Sequence, residues 1–384
     1  MQESPALPSR RLLSAIVAFA ALAPGGLMTA PAIAAQLSVQ LHLSPSYIGF
    51  LFSTELGAMS LATFPAWWWL GRCHWHRVAL LSVIVFTVGN VVSAFSGTFA
   101  LLLPCRFIAS LAGGTLMILC ITSAATTHNS GRVFSLWILG QLLLGAVGLL
   151  VLPPLFARFG LMTVYLLLAI LMMGCFPLIR AFPAGLAVQK QTKNITGPYM
   201  PGLLAALAVL LFYTGQSAIW AFSGTIAADA GLDRIHSGQI LAVATVFGMM
   251  GACITAALSS HSHRRFLLLL GYVLLLVGIA LFSHHPLSVR FALAAVLFEF
   301  SWIYVLPLIL SRVAALDNNG KLMNAINLVI GGGQALGPSI AGYLLENSGG
   351  QTGVMLLTAA LSVVVSLVFI SLAAYHQAKK NRHR

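Results

Sequence analysis

Three ionisable residues lie deep inside long apolar runs: Glu55 in FLFSTELGAMSLATF, Arg106 in LLPCRFIASLAGG and Glu299 in VLFEFSWIYVLP. An ion in such company is costly unless it is paired or used, so each asks for a chemical reason. Burial disfavours an ionised carboxylate, whereas a neighbouring arginine favours it. A carboxyl caught between these influences can load a proton from one side and release it on the other. Competition between a proton, an arginine and a cationic solute for one carboxylate would couple solute movement to a proton gradient. No residue in the run around Glu55 is basic. Glu299 is the preferred titrating or substrate-facing acid, Glu55 the second candidate carrier and Arg106 the group that opposes protonation. Tyr213, Gln216 and Trp220 share one helical stripe, Trp302 follows Glu299 by one turn, and Tyr304 is close by. Such rings stack on aromatic solutes or hold cations, although a stripe of this kind also serves as ordinary packing. Asn324, Asn327 and Gln334 offer further hydrogen-bonding groups.

The elements that position these groups follow from composition. The 384-residue chain is 59% hydrophobic and only 7% charged, against about 25% charged residues in soluble proteins. A bilayer is therefore the expected solvent, with roughly 20 apolar residues needed per helical span. Apolar runs separated by turn-rich breaks give twelve spans: 12–35, 46–70, 78–96, 99–126, 133–157, 161–183, 201–228, 237–258, 266–283, 288–313, 321–345 and 351–375. Arg10-Arg11 and TAPAIAA resemble a signal peptide with its cleavage site. The apolar stretch nevertheless runs to Ala35 and contains Pro24 and Pro31, so it reads as a span that stays. The five cysteines form no CxxC pair and imply no disulfide framework. No GxxxxGKS or GxxxxGKT is present, which argues against ATP-driven chemistry. Cys73-His74-x-His76 and His261-x-His263 occupy equivalent loops, but nothing fixes a ligand geometry, and neither a metal nor a cofactor is expected.

The polar connector AGLAVQKQTKNITGP divides the spans into two sets of six. The expected organisation is residues 1–183 as one helical bundle, 184–200 as a cytoplasmic linker and 201–384 as a second bundle with a basic tail. With the N-terminus inside, 16 of the 20 Lys and Arg residues (all but Arg106, Arg158, Arg234 and Arg290) fall on one side. Such residues are retained in the cytoplasm. The net charge of +13 thus marks topology and gives no support for nucleic-acid binding. Trp67-Trp68-Trp69 and Trp75 bracket one end of the second span, as expected of interfacial indoles.

The halves echo each other. Arg72 and Arg264 are 192 residues apart, as are Gly145 and Gly337; Gly140-Gln141 and Gly333-Gln334 are 193 apart, as are Arg106 and Glu299. Duplicated halves are common in transporters. Together with LGRCHWHR after the second span, which holds Gly71, Arg72 and Arg77, this architecture resembles the major facilitator superfamily. Arg106 matches the arginine that drug/proton antiporters of that family carry early in the fourth span. GGGQALGPSIAG in the eleventh span, with Gly337 and Pro338, is similar to their glycine-rich signature. The resemblance implies an all-α membrane protein of two pseudo-symmetric six-helix bundles, and secondary transport by alternating access. Gly71, Arg72, Arg77, Gly145, Gly337 and Pro338 would serve gating or close packing.

The expected function is proton-coupled export of a small amphipathic molecule from the bacterial inner membrane, by a monomer with both termini cytoplasmic and no enzymatic activity. Its partners would be the solute, protons and the lipid bilayer. Uptake of a sugar or organic metabolite is the leading alternative, and a non-transporting receptor the other class.

Overall fold

The computed structural model describes residues 10–125, 127, 130–183, 199–258, 264–283, 288–316 and 321–382. All regular structure among them is helical. The first half of the chain forms α1 (Arg10–Leu22), α2 (Gly25–Met28), α3 (Ala30–Gln40), α4 (Pro45–Leu61) and α5 (Thr63–Trp69). These are followed by α6 (Trp75–Ala94), α7 (Phe99–Ala125), α8 (Ser130–Phe159), α9 (Met162–Gly174) and a 3₁₀ turn at Phe176–Ala181. The second half forms α10 (Tyr199–Asp229), α11 (Arg234–Leu258), α12 (Arg264–Leu281), α13 (Ser288–Leu316), α14 (Lys321–Asn347) and α15 (Thr352–Arg382). Eight of the described helices are long and apolar enough to cross a membrane, and two shorter apolar helices, Met162–Gly174 and Arg265–Leu281, accompany them. The other two expected spans are the interrupted runs α1–α3 and α4–α5.

Proline explains those interruptions. Pro24 has no N–H to give the Ala20 carbonyl, and Pro31 has none for Leu27. The chain bends at both places, and the Thr29 hydroxyl donates to the Gly25 carbonyl (2.9 Å). The freed Ala20 carbonyl is instead satisfied by Gln141 Nε2 of α8 (2.8 Å). This is the way a membrane helix tolerates proline, since no water is available to complete the backbone. Pro65 likewise marks the α4–α5 break at Ala62. The first span therefore differs from the uninterrupted 12–35 expected, and reaches Gln40. The sixth ends its α-helix at Gly174 and finishes as the 3₁₀ turn.

The chain divides into two compact units. One holds residues 1–42 and 54–190, the other 43–53 and 191–384. The first half of α4 thus belongs with the second unit, a departure from a boundary at residue 183; the proposed linker lies almost wholly outside the described residues. In the first unit α1 packs on α8, and α6 packs on both α7 and α9. Phe19, Trp75, Phe86 and Tyr165 are among its most buried side chains. In the second unit α10 carries α14 and α15, and α13 carries α11 and α12, around Phe212, Tyr272, Phe282, Phe291 and Phe298. Within that unit Glu346 Oε2 accepts the Ser44 hydroxyl (2.8 Å) and the Ser46 N–H (3.1 Å). It caps the start of α4, where amides lack helical partners and an anion is favoured.

The outer faces are rich in exposed Leu, Ile, Val and Phe, such as Leu81, Leu143, Ile170 and Leu361. Lipid suits these groups where water does not. Trp67 and Trp68 are exposed, as interfacial indoles should be, but Trp69 and Trp75 are buried. Trp75 Nε1 donates to the Leu70 carbonyl (3.1 Å) and fastens the turn between α5 and α6. None of the five cysteines is in a disulfide.

Candidate functional site

Glu55 has a partner that its local sequence does not reveal. Arg106, 51 positions later on α7, donates Nε–H to Glu55 Oε1 at 2.7 Å and Nη2–H to Oε2 at 3.3 Å. This two-point fork matches the planar geometry of guanidinium and carboxylate. A third donor, Nη1–H, reaches Asn90 Oδ1 on α6 at 2.8 Å. Asn90 is itself oriented, because its Nδ2–H donates to the Phe86 carbonyl at 2.8 Å and leaves the oxygen facing the arginine. The Tyr165 ring of α9 lies under the guanidinium, 4.7 Å from centroid to Cζ, a cation–π arrangement that strengthens when desolvated. The charged side chains are only 4% and 11% exposed. Four elements of the first unit thus converge on one arginine.

A fifth element borders the pair. A methyl on Gly26, in the bent segment α2, would lie 3.4 Å from Glu55 Oε2 and 3.8 Å from Arg106 Nη2. The proline-induced bends of the first span therefore bring bare backbone up to the carboxylate. The carboxylate that Arg106 grips within this unit is that of Glu55.

Glu299 has a different setting. It lies on α13 and is 2% exposed. Its nearest described backbone includes α11, where a methyl on Gly248 would stand 3.6 Å from Glu299 Oε2. The described ion pairs are Arg106–Glu55 and Asp233–His236, and Glu299 belongs to neither. Oε1 of Glu299, the hydroxyl of Ser301 and Nε1 of Trp302 are all buried without a hydrogen-bond partner. Trp302 is near enough to interact with the carboxyl, yet no hydrogen bond closes between them. Each such orphaned polar atom in a native interior is unusual and calls for an explanation.

The remaining expected residues divide. Tyr213, Gln216, Trp220 and Tyr304 are buried in the second unit. Tyr213 packs edge-on against Phe212, and Tyr304 stacks on Phe300 at 5.9 Å, so both rings have packing roles. Gln334 is partly buried and Asn327 is exposed; the Asn324 side chain lies outside the described ones. Gly337 is pressed against the Thr214 carbonyl and Ser217 hydroxyl of α10, with Pro338 buried beside it. Gly145 faces Met28 across a 3.2 Å gap to any added methyl. Gly71, by contrast, has open space around it. Arg72 donates to the Trp68 carbonyl (3.3 Å) and sits over its ring, while Arg77 is exposed. Sequence reasoning missed Asn90, Tyr165, Gly26 and Gln141. Two carried a signal: Asn90 as the sole asparagine within a first-half span, and Gln141 as the counterpart of Gln334 in the repeat.

Among the described residues no group of three or more His, Cys, Asp or Glu could hold a metal; His261 and His263 lie outside them. In the exposed loop before α11, hydrogen bonds from the His236 backbone and ring hold the Asp233 carboxyl below its usual range. The pair is fully open to solvent and serves as a local helix cap.

Helical spans packed into two units, with a buried ion pair in one and a lone buried acid in the other, define a multi-pass membrane protein of the transporter class. The Major Facilitator Superfamily profile matches residues 13–311 and 205–384. The chain belongs to that superfamily, whose members move solutes by alternating access. No curated protein matches it in sequence. Among solved structures, it is similar to the POT family transporter PepTSo, with 12% identity, 97% and 99% of the two chains covered and a TM-score of 0.73. The nucleoside transporter NupG gives 12%, 94% and 99%, and 0.72. A bacterial homologue of the human lysosomal transporter Spinster, inward-facing and unoccupied, gives 13%, 96% and 96%, and 0.68. At these identities the likeness establishes the fold.

Proposed function

We propose that the chain is a proton-coupled exporter of a small amphipathic molecule, with Glu299 as the proton carrier and the Glu55–Arg106 pair as a tuning element. The observation that carries this reading is the Glu299 carboxyl itself, buried and with Oε1 unpartnered. An ionised carboxylate cannot remain there cheaply without a cation. The site must therefore hold a proton when closed, or meet water or a cationic solute when it opens. Binding of either ligand at the expense of the other is the condition for exchange. Glu55 is already answered by Arg106 and is less available to carry a proton through the cycle. Tyr213, Trp220 and Tyr304 are buried in the same unit and would offer aromatic surface to an amphipathic solute once the cycle exposes them. Export is favoured by Arg106 and the span-eleven glycine motif, both of which resemble antiporter features.

The distribution of basic residues supports a bacterial inner-membrane protein with cytoplasmic termini. The chain is read as a monomer, with no cofactor.

The test begins by profiling drugs and metabolites in cells with and without the gene. Any solute whose level changes is then assayed in proteoliposomes under an imposed pH gradient. Glu299→Gln should abolish uphill transport while retaining solute binding or exchange. Uphill transport by this variant at wild-type rate would remove Glu299 from the coupling role.

A further inference from the structure

In the second unit α14 and α15 both pack closely on α10 but touch each other sparingly. The gap between them is a groove of about 330 Å³, floored by α10 and walled by the other two. That volume falls at the small end of the roughly 300–1,000 Å³ typical of ligand pockets. Ala218, Ala341 and Ala359 offer it only methyl groups, while Gly215 lets α10 approach the Ala359 carbonyl of α15 closely.

Its chemistry is narrow. Three hydroxyl residues line it, and each is already committed to backbone. Thr214 donates to Leu210 (2.8 Å), Thr358 to Val354 (2.9 Å) and Ser362 to Leu211 (2.7 Å). No charged side chain lines the groove. A polar occupant would surrender its hydrogen bonds on entry, while an alkyl chain loses nothing. The rim residues Ile340, Leu361 and Val365 are exposed on the surface of membrane-spanning helices. The groove is therefore continuous with the lipid-facing surface. Its wall on α15 runs from Met355 to Val365. At 1.5 Å per residue this is about 15 Å, half of the roughly 30 Å hydrocarbon core. Length, polarity and access all match one leaflet's acyl chain.

We propose that this groove is a lipid site, occupied by one acyl chain of a phospholipid from the leaflet that carries the α14–α15 turn. The chain fills the wedge between α14 and α15 and lets both helices rest on α10 without meeting each other. Small residues at the groove are what admit the chain, so they serve ligand binding as well as helix packing.

The test uses the full chain in vesicles of phosphatidylethanolamine with a minor share of phosphatidylglycerol. The probe is a trace phosphatidylethanolamine bearing a diazirine in one acyl chain. After illumination, labelled positions are mapped by mass spectrometry. Met355 is 1% exposed and reachable by a chain only through the groove, whereas Leu357 and Val368 face bulk lipid. Resident lipid should label Met355 and Ser362 about tenfold more densely than Leu357 and Val368, the ratio given by a site preference of about 1.4 kcal/mol. Thr358→Trp, at the exposed rim, should suppress labelling at Met355 and leave Val368 unchanged; Leu357→Trp should do neither. Labelling that follows exposure alone would overturn the proposal, as would labelling of Met355 unaffected by Thr358→Trp. If Thr358→Trp fails to reach the membrane, the wild-type map still decides. Labelling of the groove by a soluble diazirine alkane but not by the phospholipid would also overturn it.

Discussion

Removing Arg106 should cost far more than removing Arg106 and Glu55 together. The closest approach of the pair is 2.7 Å. At an effective dielectric constant of about 20, two unit charges at that distance attract by about 6 kcal/mol. Desolvation costs several kcal/mol for each buried ion, so the intact pair contributes little net stability. Breaking it is different. Arg106→Leu strands the Glu55 carboxylate, frees Asn90 Oδ1 and uncovers the Tyr165 ring, an expected loss of about 3–5 kcal/mol. For a bundle of some 150–250 residues this corresponds to a Tm fall of roughly 6–20 °C. Glu55→Leu strands the guanidinium and should cost a similar amount. The Glu55→Leu/Arg106→Leu double variant removes both charges and should recover most of the loss, giving a coupling energy of roughly 3 kcal/mol or more, large for a contacting pair. The assay is thermal unfolding in detergent, followed by a thiol-reactive dye, at equal protein concentration. Transport should divide differently: Arg106→Lys keeps a charge beside Glu55 and some activity, while Arg106→Gln keeps very little. Additive losses in the double variant, or single variants within 2 °C of wild type at ~1 kcal/mol or less, would refute the view that the pair is an obligate unit.

Three further outcomes follow from neighbouring geometry. Gln141→Leu leaves the Ala20 carbonyl without its donor and should cost about 1–3 kcal/mol, read as a lower Tm; Pro24→Ala in the same background should restore part of it. Gly337→Ala drives a methyl into the Thr214 carbonyl and should reduce folded protein in the membrane, measured by fluorescence-detected size exclusion. Gly71→Ala, with nothing within 4 Å, should stay within about 0.5 kcal/mol of wild type. For topology, cysteines introduced at Arg72 and Gly231 should react with an impermeant maleimide from opposite faces of the membrane, and labelling from one face would reject the twelve-span arrangement.

Much of the architecture was legible because a bilayer imposes simple rules on sequence. Apolar runs had to be helices, since no other open structure satisfies its backbone in lipid. The interruptions of the first two spans were less legible. Pro24, Pro31 and Pro65 were visible, yet whether proline kinks or ends a helix depends on which neighbour satisfies the freed carbonyl. For Ala20 that neighbour is Gln141, 121 positions away. That Trp69 and Trp75 are buried while Trp67 and Trp68 are exposed depends on the fold of the α5–α6 turn.

By itself the sequence determined the membrane setting, the helical class, the sparse inventory of acids and the fact that Glu55, Arg106 and Glu299 needed explanations. Those properties follow from transfer energies of individual residues, which are local. Only the tertiary structure decided that Arg106 answers Glu55, that Asn90 and Tyr165 hold the arginine in place, and that Glu299 Oε1 stands without a partner. Pairing is a property of which helices touch and which faces they turn to one another. No local pattern encodes that choice, and in the low dielectric of a membrane protein it separates a carboxylate held by an arginine from a buried carboxyl whose Oε1 has no partner.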